Sequence, residues 1–250
     1  MRIAVVTPYY DETESVLRAC HDSVRGQTHA ATHIMVADGH PQAWIDSSSA
    51  QHIVLPVSHR NYGDTPRAIA SVSAITQKFD GIAYLDADNW YQPDHIESMV
   101  QLHRETGAAI CSTRRSMHRI DGSLMGYCFS SDGEDFVDTN CLAVFREAFR
   151  LLPCWGLIPD WAHVLGDRMM WHLLRDSGLK RAHLPRFTVC YRDSYLPHYL
   201  HMGENPPEGA RATNEILQAI GRWDKEGLPP FRKEFDVRRS SEIPSGRSDS

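Results

Sequence analysis

The stretch GIAYLDADNWYQPDHIESMV, residues 81–100, holds the transition that decides the fold. Gly81 to Leu85 is apolar and has the length of a buried strand. It runs directly into Asp86-Ala87-Asp88. Pro93 then opens an amphipathic run to Glu105, which reads as a helix with proline near its start. In a strand, residues two apart project to one side. Asp86 and Asp88 are therefore expected to point together from the strand's mouth. Two such carboxylates repel unless something positive lies between or beside them. A hard divalent cation meets that need. Mg²⁺ is commonly held by one or two carboxylates plus substrate phosphates, and Mn²⁺ takes similar ligands. A DxD in an ordinary loop is usually just solvated. What sets this one apart is its place between an apolar strand and a proline-led helix.

The chain on either side repeats the alternation. Strands are expected at Ile3–Thr7, His33–Ala37, Ile53–Val57, Gly81–Leu85 and Ala108–Thr113. Helices are expected at Thr13–Arg25, Pro41–Ser49, Thr65–Lys78 and Pro93–Glu105. Ile69, Val72 and Ile75 mark the expected apolar face of the third of these. Short, continuously apolar strands separated by helices imply an α/β fold, mainly parallel, with helices on both faces of the sheet. In open sheets of this kind, ligands bind outside the carboxyl ends of the strands. Those ends carry Thr7-Pro8-Tyr9-Tyr10-Asp11-Glu12, Asp38, HRNYGDTPRA and the DAD. Asp64 or Thr65 has a plainer use as a helix cap, yet the four exits together form one polar rim.

After residue 113 the pattern changes to short strands (Leu124–Phe129, Asn140–Phe145), a helix over Ala162–Ser177, a late strand Phe187–Tyr191 and a last helix Arg211–Glu226. We divide one domain into residues 1–113 and 114–236, and read 237–250 as a flexible tail. With 250 residues, 42% hydrophobic and 23% charged, the composition is that of a globular protein. A net charge of −6 argues against general binding to nucleic acid or membrane surfaces. No run of about 18 apolar residues is present, and the N-terminal apolar run is too short for a signal peptide. Six cysteines without a CxxC read as reduced, mostly buried thiols of a cytoplasmic protein. The last helix and the tail are candidates for docking on a second copy, as in a homodimer.

TPYYDE, VADG, NYGDTPRA and YLDAD, in this order and spacing, resemble the family-2 glycosyltransferases of the GT-A (Rossmann-like) fold, with its mixed sheet. The resemblance covers roughly residues 1–190. It implies transfer of a sugar from a nucleotide-diphosphate donor, most often UDP-linked, to a glycan or other hydroxyl acceptor. It further implies inversion and a Mn²⁺ or Mg²⁺ cofactor, so the first half of the domain would bind nucleotide sugar and the second half acceptor. Thr7, Pro8 and Tyr10 would line the nucleoside pocket, and Asp38 would meet the nucleobase. Arg67 would sit beside the base and the first Asp of the pair. Asp86 would contact ribose or sugar, Ala87 would complete the motif, and Asp88 would ligate the metal. The family's acidic base at the start of a helix matches Asp167 in LGDRMMWHLL, although Gly166 stands where a Glu often precedes it. Asp167 also suits the positive end of a helix.

Asp160, beside Trp155 and Trp161, is the runner-up base. Aromatic faces next to a carboxylate suit a sugar, although tryptophans also fill cores. Asp138 and Asn140, in DFVDTNCLAVF, are expected on the donor sugar. His198 is the expected late metal ligand, with His201 as the alternative. A sugar-phosphate nucleotidyltransferase shares the sheet and the acidic site, but its Gly-rich loop is absent after the first strand. A non-catalytic carbohydrate-binding protein with this fold is the remaining alternative, disfavoured by the intact acids.

Overall fold

The computed structural model describes residues 1–226 and 236–242. Strand β1 (Ile3–Tyr9) is buried along its whole length. Helix α1 (Glu14–Arg25) follows, stopped by Gly26, and then β2 (Ala31–Asp38). A 3-10 turn at Ala43–Ser47 leads to β3 (Gln51–Leu55). Helix α2 (Asp64–Thr76), β4 (Gly81–Tyr84), β5 (Trp90–Tyr91), α3 (His95–Thr106) and β6 (Ile110–His118) complete the first half. Strands β3, β2, β1 and β4 lie side by side in that order, all parallel. Alternate residues of β2 enter different clusters: Ile34 and Val36 join the main core, whereas Met35 and Ala37 pack with Leu17 and Ile45. Both faces of the parallel half are therefore covered, which is why its strands carry no polar alternation.

The second half contributes β7 (Leu124–Cys128), β8 (Leu142–Phe145), α4 (Gly166–Arg175), β9 (Arg181–Arg192), α5 (Leu196–His201), α6 (Asn214–Lys225) and β10 (Val237–Arg238). Strand β8 inserts antiparallel between β4 and β6, so pairing is mixed beyond β4. Strand β6 pairs first with β8 and then with β7, while β9 follows it in parallel through two bulges. The two-residue β5 pairs with β9 and ties the chain just after the DAD to the second half. Val237 and Arg238 pair with β7, so regular structure continues past the expected start of the tail, and residues 243–250 lie outside those described. All six cysteines are free thiols, five of them buried.

Two of the longer helices differ in character from their sequence reading. In α2 the stripe Ile69–Val72 faces outward, at 38% and 44% exposure. The buried face is Pro66, Arg67, Ala70, Ser71 and Ala74. This helix packs against both the sheet and the 3-10 stretch Arg146–Leu157, where small side chains permit close approach. Ser71 shares a 2.8 Å hydrogen bond with the buried Tyr84 hydroxyl. The helix expected over Ala162–Ser177 is broken: 3-10 turns run from Asp160 to Leu165, and α4 starts afresh at Gly166.

Three histidines, two of them buried and His183 partly so, hold structural hydrogen bonds. His33 reaches Thr7 at 2.8 Å, His95 reaches Thr188 at 2.8 Å, and His183 reaches Ser112 at 2.9 Å. Burial lowers their pKa values, to about 3 for His33 and His95 and about 4 for His183. The folded protein keeps these rings neutral, while the unfolded chain protonates them below about pH 6.5. Each therefore contributes stability above that pH that is lost on acidification. His95→Gln should make the fall in unfolding free energy between pH 6.5 and 5 smaller by about 2 kcal/mol than in wild type. Urea titrations at the two pH values measure it.

Candidate active site

Strand β4 stops at Tyr84, and the tight turn Asp86–Asn89 closes with a 3.0 Å bond from the Asn89 amide to the Asp86 carbonyl. The two acids thus sit on a turn rather than on the strand's continuation. Both still line one cavity of about 990 Å³. Ala87 is 3% exposed and also packs beneath, against the cluster of Tyr9, Leu17 and Met35. The turn is held from the far side by Arg192 of β9. Its amide donates to Asn89 Oδ1 at 2.8 Å, and its Nε donates to the Asp88 carbonyl at 3.0 Å.

Asp86 is fixed by two partners. Arg67, only 6% exposed, pairs with Oδ1 through Nη2. Asn140 reads the residue twice: its Nδ2 donates to Asp86 Oδ2 at 2.8 Å, and its Oδ1 accepts the Asp86 amide at 2.6 Å. Asn140 is fully buried, so it positions Asp86 rather than lining the cavity, which corrects its expected sugar contact. Asp138 does line the cavity. Its carboxylate is nonetheless engaged with buried Arg115 and with the Asn140 amide and side chain at 2.9 and 2.8 Å.

Among the described residues, Asp88 has no such cation in contact. Loss of solvation, with Asp86 and Glu12 adding negative charge, pushes its pKa up to about 7, while Arg211 pulls in the other direction. Glu12 is also raised, chiefly by burial. An acid in this setting is suited to a cation. Among the described residues no three His, Cys, Asp or Glu side chains are grouped to hold an ion unaided. His198 and His201 both line the cavity. His198 Nδ1 lies 2.9 Å from the fully buried Asp193 carboxylate, the arrangement that orients a ligating imidazole through its other nitrogen. A carboxylate such as Asp88 and an imidazole such as His198 have the donor chemistry that a Mg²⁺ or Mn²⁺ ion would use, with substrate phosphate oxygens and water needed to complete its shell.

Pro8 and Tyr10 also line the cavity. The Tyr10 ring meets His40 edge-on at 4.5 Å, with the Arg60 guanidinium 5.7 Å above it. Thr7 does not line it: its side chain is fully buried and turned to His33, because successive residues of β1 face opposite ways. Asp38 borders the cavity but spends its oxygens on the His59 and Arg60 amides at 3.0 Å and on His59 Nδ1 at 2.8 Å. It builds the rim formed by residues 58–62.

On the far wall, Asp167 lies in the first turn of α4 and accepts the Arg168 amide at 2.7 Å and its guanidinium at 3.1 Å. Asp160 is outside the cavity, fully exposed. Trp155 is 1% exposed, packed on Tyr84 with the Arg67 guanidinium 5.1 Å from its ring centre. It supports Arg67 from behind, so the aromatic-beside-acid reading of this loop gives way to core packing. Beside Gly166 lies a group that sequence reading took only as a cap: the Asp64 carboxylate, 1% exposed, 2.8 Å from His163 Nδ1 and 3.4 Å from Arg67. Burial drives its pKa up to about 6 despite both partners.

The Glycosyl transferase family 2 model matches residues 4–127, which spans the parallel half and the turn bearing both acids. The chain belongs to glycosyl transferase family 2. Glycosyltransferase GlyA of Streptococcus pneumoniae is 22% identical over 185 residues, 71% of this chain and 26% of that protein. S. aureus TarS 1–349 in complex with UDP superposes with a TM-score of 0.57 at 12% identity, over 78% of this chain and 61% of TarS 1–349. Its complex with UDP-GlcNAc gives 0.56 at 12%, over 77% and 59%. The chain thus spans about a quarter of GlyA and about three fifths of TarS 1–349. The likeness to TarS establishes the GT-A fold.

Within this family-2 fold, Glu12, Arg115, His163, Tyr195 and Arg211 also line the cavity. Of these, Glu12 was named only as part of the first strand exit, and the other four were not singled out from the sequence, since an isolated side chain of this kind has no pattern to mark it. The Asn140 bridge yields a direct test. Asn140→Asp replaces a donor to two carboxylates by a third acid. It should destabilise the protein by roughly 2–4 kcal/mol at pH 8 in urea denaturation, whereas an exposed Asn→Asp change costs little.

Proposed function

We propose that the cleft transfers a sugar from a nucleotide-diphosphate donor, of the UDP type, to a hydroxyl of a glycan, with inversion. The observation that carries this reading is the sharing of one cavity by the strand-exit acids Asp86 and Asp88 and the helix-start acid Asp167. Donor-side and acceptor-side acids then stand in one space, large enough for a nucleotide sugar and an acceptor residue. The UDP and UDP-GlcNAc complexes of S. aureus TarS support the donor class.

In this reading the nucleoside lies along Pro8, Tyr10 and the rim that Asp38 builds. Asp86, held still by Arg67 and Asn140, receives hydroxyls of the ribose or sugar. Asp88 and His198 would hold the cation, which would supply positive charge to a departing diphosphate. Arg211, drawn toward Asp88 and Tyr195, adds a fixed positive group on the same side. Asp167 accepts the proton of the attacking hydroxyl on the face opposite the leaving group. Fixing both reactants on one rigid sheet lowers the entropic part of the barrier. No helix among the described residues is long and apolar enough to cross a membrane. The free thiols support a reducing compartment, and we place the enzyme in the cytoplasm.

UDP with Mn²⁺ should raise the melting temperature, by an amount equivalent to about 2.7 kcal/mol at a hundredfold excess over Kd. Asp88→Ala should retain a UDP response and lose the part that depends on Mn²⁺. An unchanged melting curve with UDP, GDP and other diphosphates, with and without Mn²⁺, would count against the donor reading. Asp167→Asn should lower the transfer rate by about 10²–10⁴-fold with UDP affinity retained. The anomeric configuration of the product, read by NMR, decides between inversion and retention.

A further inference from the structure

Gly166 opens α4 immediately before Asp167, and no side chain fits there. A Cβ built on Gly166 would lie 2.7 Å from Asp64 Oδ1 and 3.2 Å from Oδ2. The obstacle is a carboxylate delivered from α2, more than one hundred residues earlier in the chain, and fixed by the first turn of that helix. An acid buried to 1% exposure at this point has two partners, Arg67 and His163. Arg67 is shared with Asp86, so His163 is the partner that Asp64 alone orients. His163 keeps 16% side-chain exposure and lines the cavity beside Asp167. Its Nδ1 is taken by Asp64 at 2.8 Å. Its Nε2 makes no hydrogen bond among the described residues. The nearest acid oxygen, Asp160 Oδ1, is 3.7 Å away.

We propose that Asp64 and His163 form an acceptor-positioning dyad, in which the buried carboxylate fixes the Nδ1–H tautomer and leaves Nε2 to accept a hydrogen bond from a hydroxyl of the incoming sugar. The logic is that of any carboxylate–imidazole pair: the acid sets which nitrogen carries the proton and which carries the lone pair. A hydroxyl held at His163 would set the orientation of its ring, and hence which neighbouring hydroxyl meets Asp167. The dyad also joins the two sides of the cleft through contiguous contacts, Asp86 to Arg67 to Asp64 to His163. The inference rests on the cleft being a glycosyl-transfer site.

The test uses the full chain labelled with ¹⁵N and loaded with UDP and Mg²⁺. Calorimetry first establishes UDP binding; no heat there would remove the donor reading and this inference together, before any sugar is added. Methyl β-D-glucopyranoside, methyl β-D-galactopyranoside and methyl N-acetyl-β-D-glucosaminide are then titrated. The His163 imidazole resonances are assigned by their loss in His163→Gln. The Nε2 resonance should move saturably with at least one sugar, while Nδ1 keeps its proton. Gly166→Ala retains both dyad side chains but pushes the Asp64 carboxylate aside, and should weaken that sugar at least tenfold with UDP affinity within threefold of wild type. With UDP-GlcNAc as donor, His163→Leu should raise the acceptor KM at least tenfold and leave the donor KM within twofold, and His163→Gln should recover part of the loss. A UDP-loaded wild type whose Nε2 resonance ignores all three sugars would overturn the dyad. So would a Gly166→Ala protein that binds sugar as wild type does.

Discussion

One buried guanidinium organises this cleft. Arg67 lies on the inner face of α2, is 6% exposed, and contacts carboxylates from two different elements, Asp64 and Asp86. It also donates to the Tyr62 carbonyl at 2.8 Å. Without it Asp64, 1% exposed, would keep only His163 as a partner, and an under-compensated buried carboxylate is costly. A lysine would not serve: its ammonium is a single point of charge, whereas the planar guanidinium donates in several fixed directions at once. The small residues around Arg67 on α2 follow from the same requirement. The helix must lie close enough to the sheet for the guanidinium to reach the end of β4.

The change of strand direction at β4 supplies the other half of the site. Strands β3, β2, β1 and β4 deliver their carboxyl ends to one rim. Strand β8 then runs antiparallel beside β4, so its amino end, with Asp138 and Asn140 just before it, arrives at the same rim. Asn140 can therefore bond both the main chain and the side chain of Asp86. The short β5–β9 pairing does the corresponding work on the other side of the turn, with Arg192 as its clasp. The acidic turn is thus gripped by residues from both halves of the chain.

The sequence disclosed most of the first half and little of the second. Continuous apolar runs ending at Asp38 and at the DAD located β2 and β4 within a few residues. Asp86, Asp88 and Asp167, singled out from their motifs, border one cavity. The misreadings have local causes. The Ile69–Val72 stripe has helical spacing, but α2 buries its small-residue face, because close packing outweighed hydrophobicity there. Most of β9 was hidden because RAHLPR is polar and contains proline, yet it pairs along the flank of β6 through bulges that tolerate both. Trp155 and Asp160 looked like one sugar site and fell on opposite sides of the surface, one buried and one exposed. The Asp64–Gly166 contact links residues about a hundred positions apart, and no local pattern encodes such a meeting.

The charges left in the cleft have a direction. Arg67, Arg115 and Arg168 are each paired to an acid, so they fix geometry more than they attract ligand. Asp88 is different. It lies between Asp86 and Glu12, its pKa is raised to about 7, and the countervailing group is Arg211 from the segment between α5 and α6. Arg211 is kept near by the bridge between its main chain and Tyr195 and by its stacking over that ring at 5.9 Å. The acidic end of the cleft is thus the part whose folded arrangement is least favourable by itself. A site that is preorganised where substrate is held, and electrostatically unsatisfied where a cation and a diphosphate would sit, draws binding energy from its ligands rather than from its own contacts. In the proposed reaction a bound cation and diphosphate would offset the cost at Asp88. That balance explains why the surrounding turn is clamped so firmly by Arg67, Asn140 and Arg192: without those clamps, the acids would relax apart into solvent.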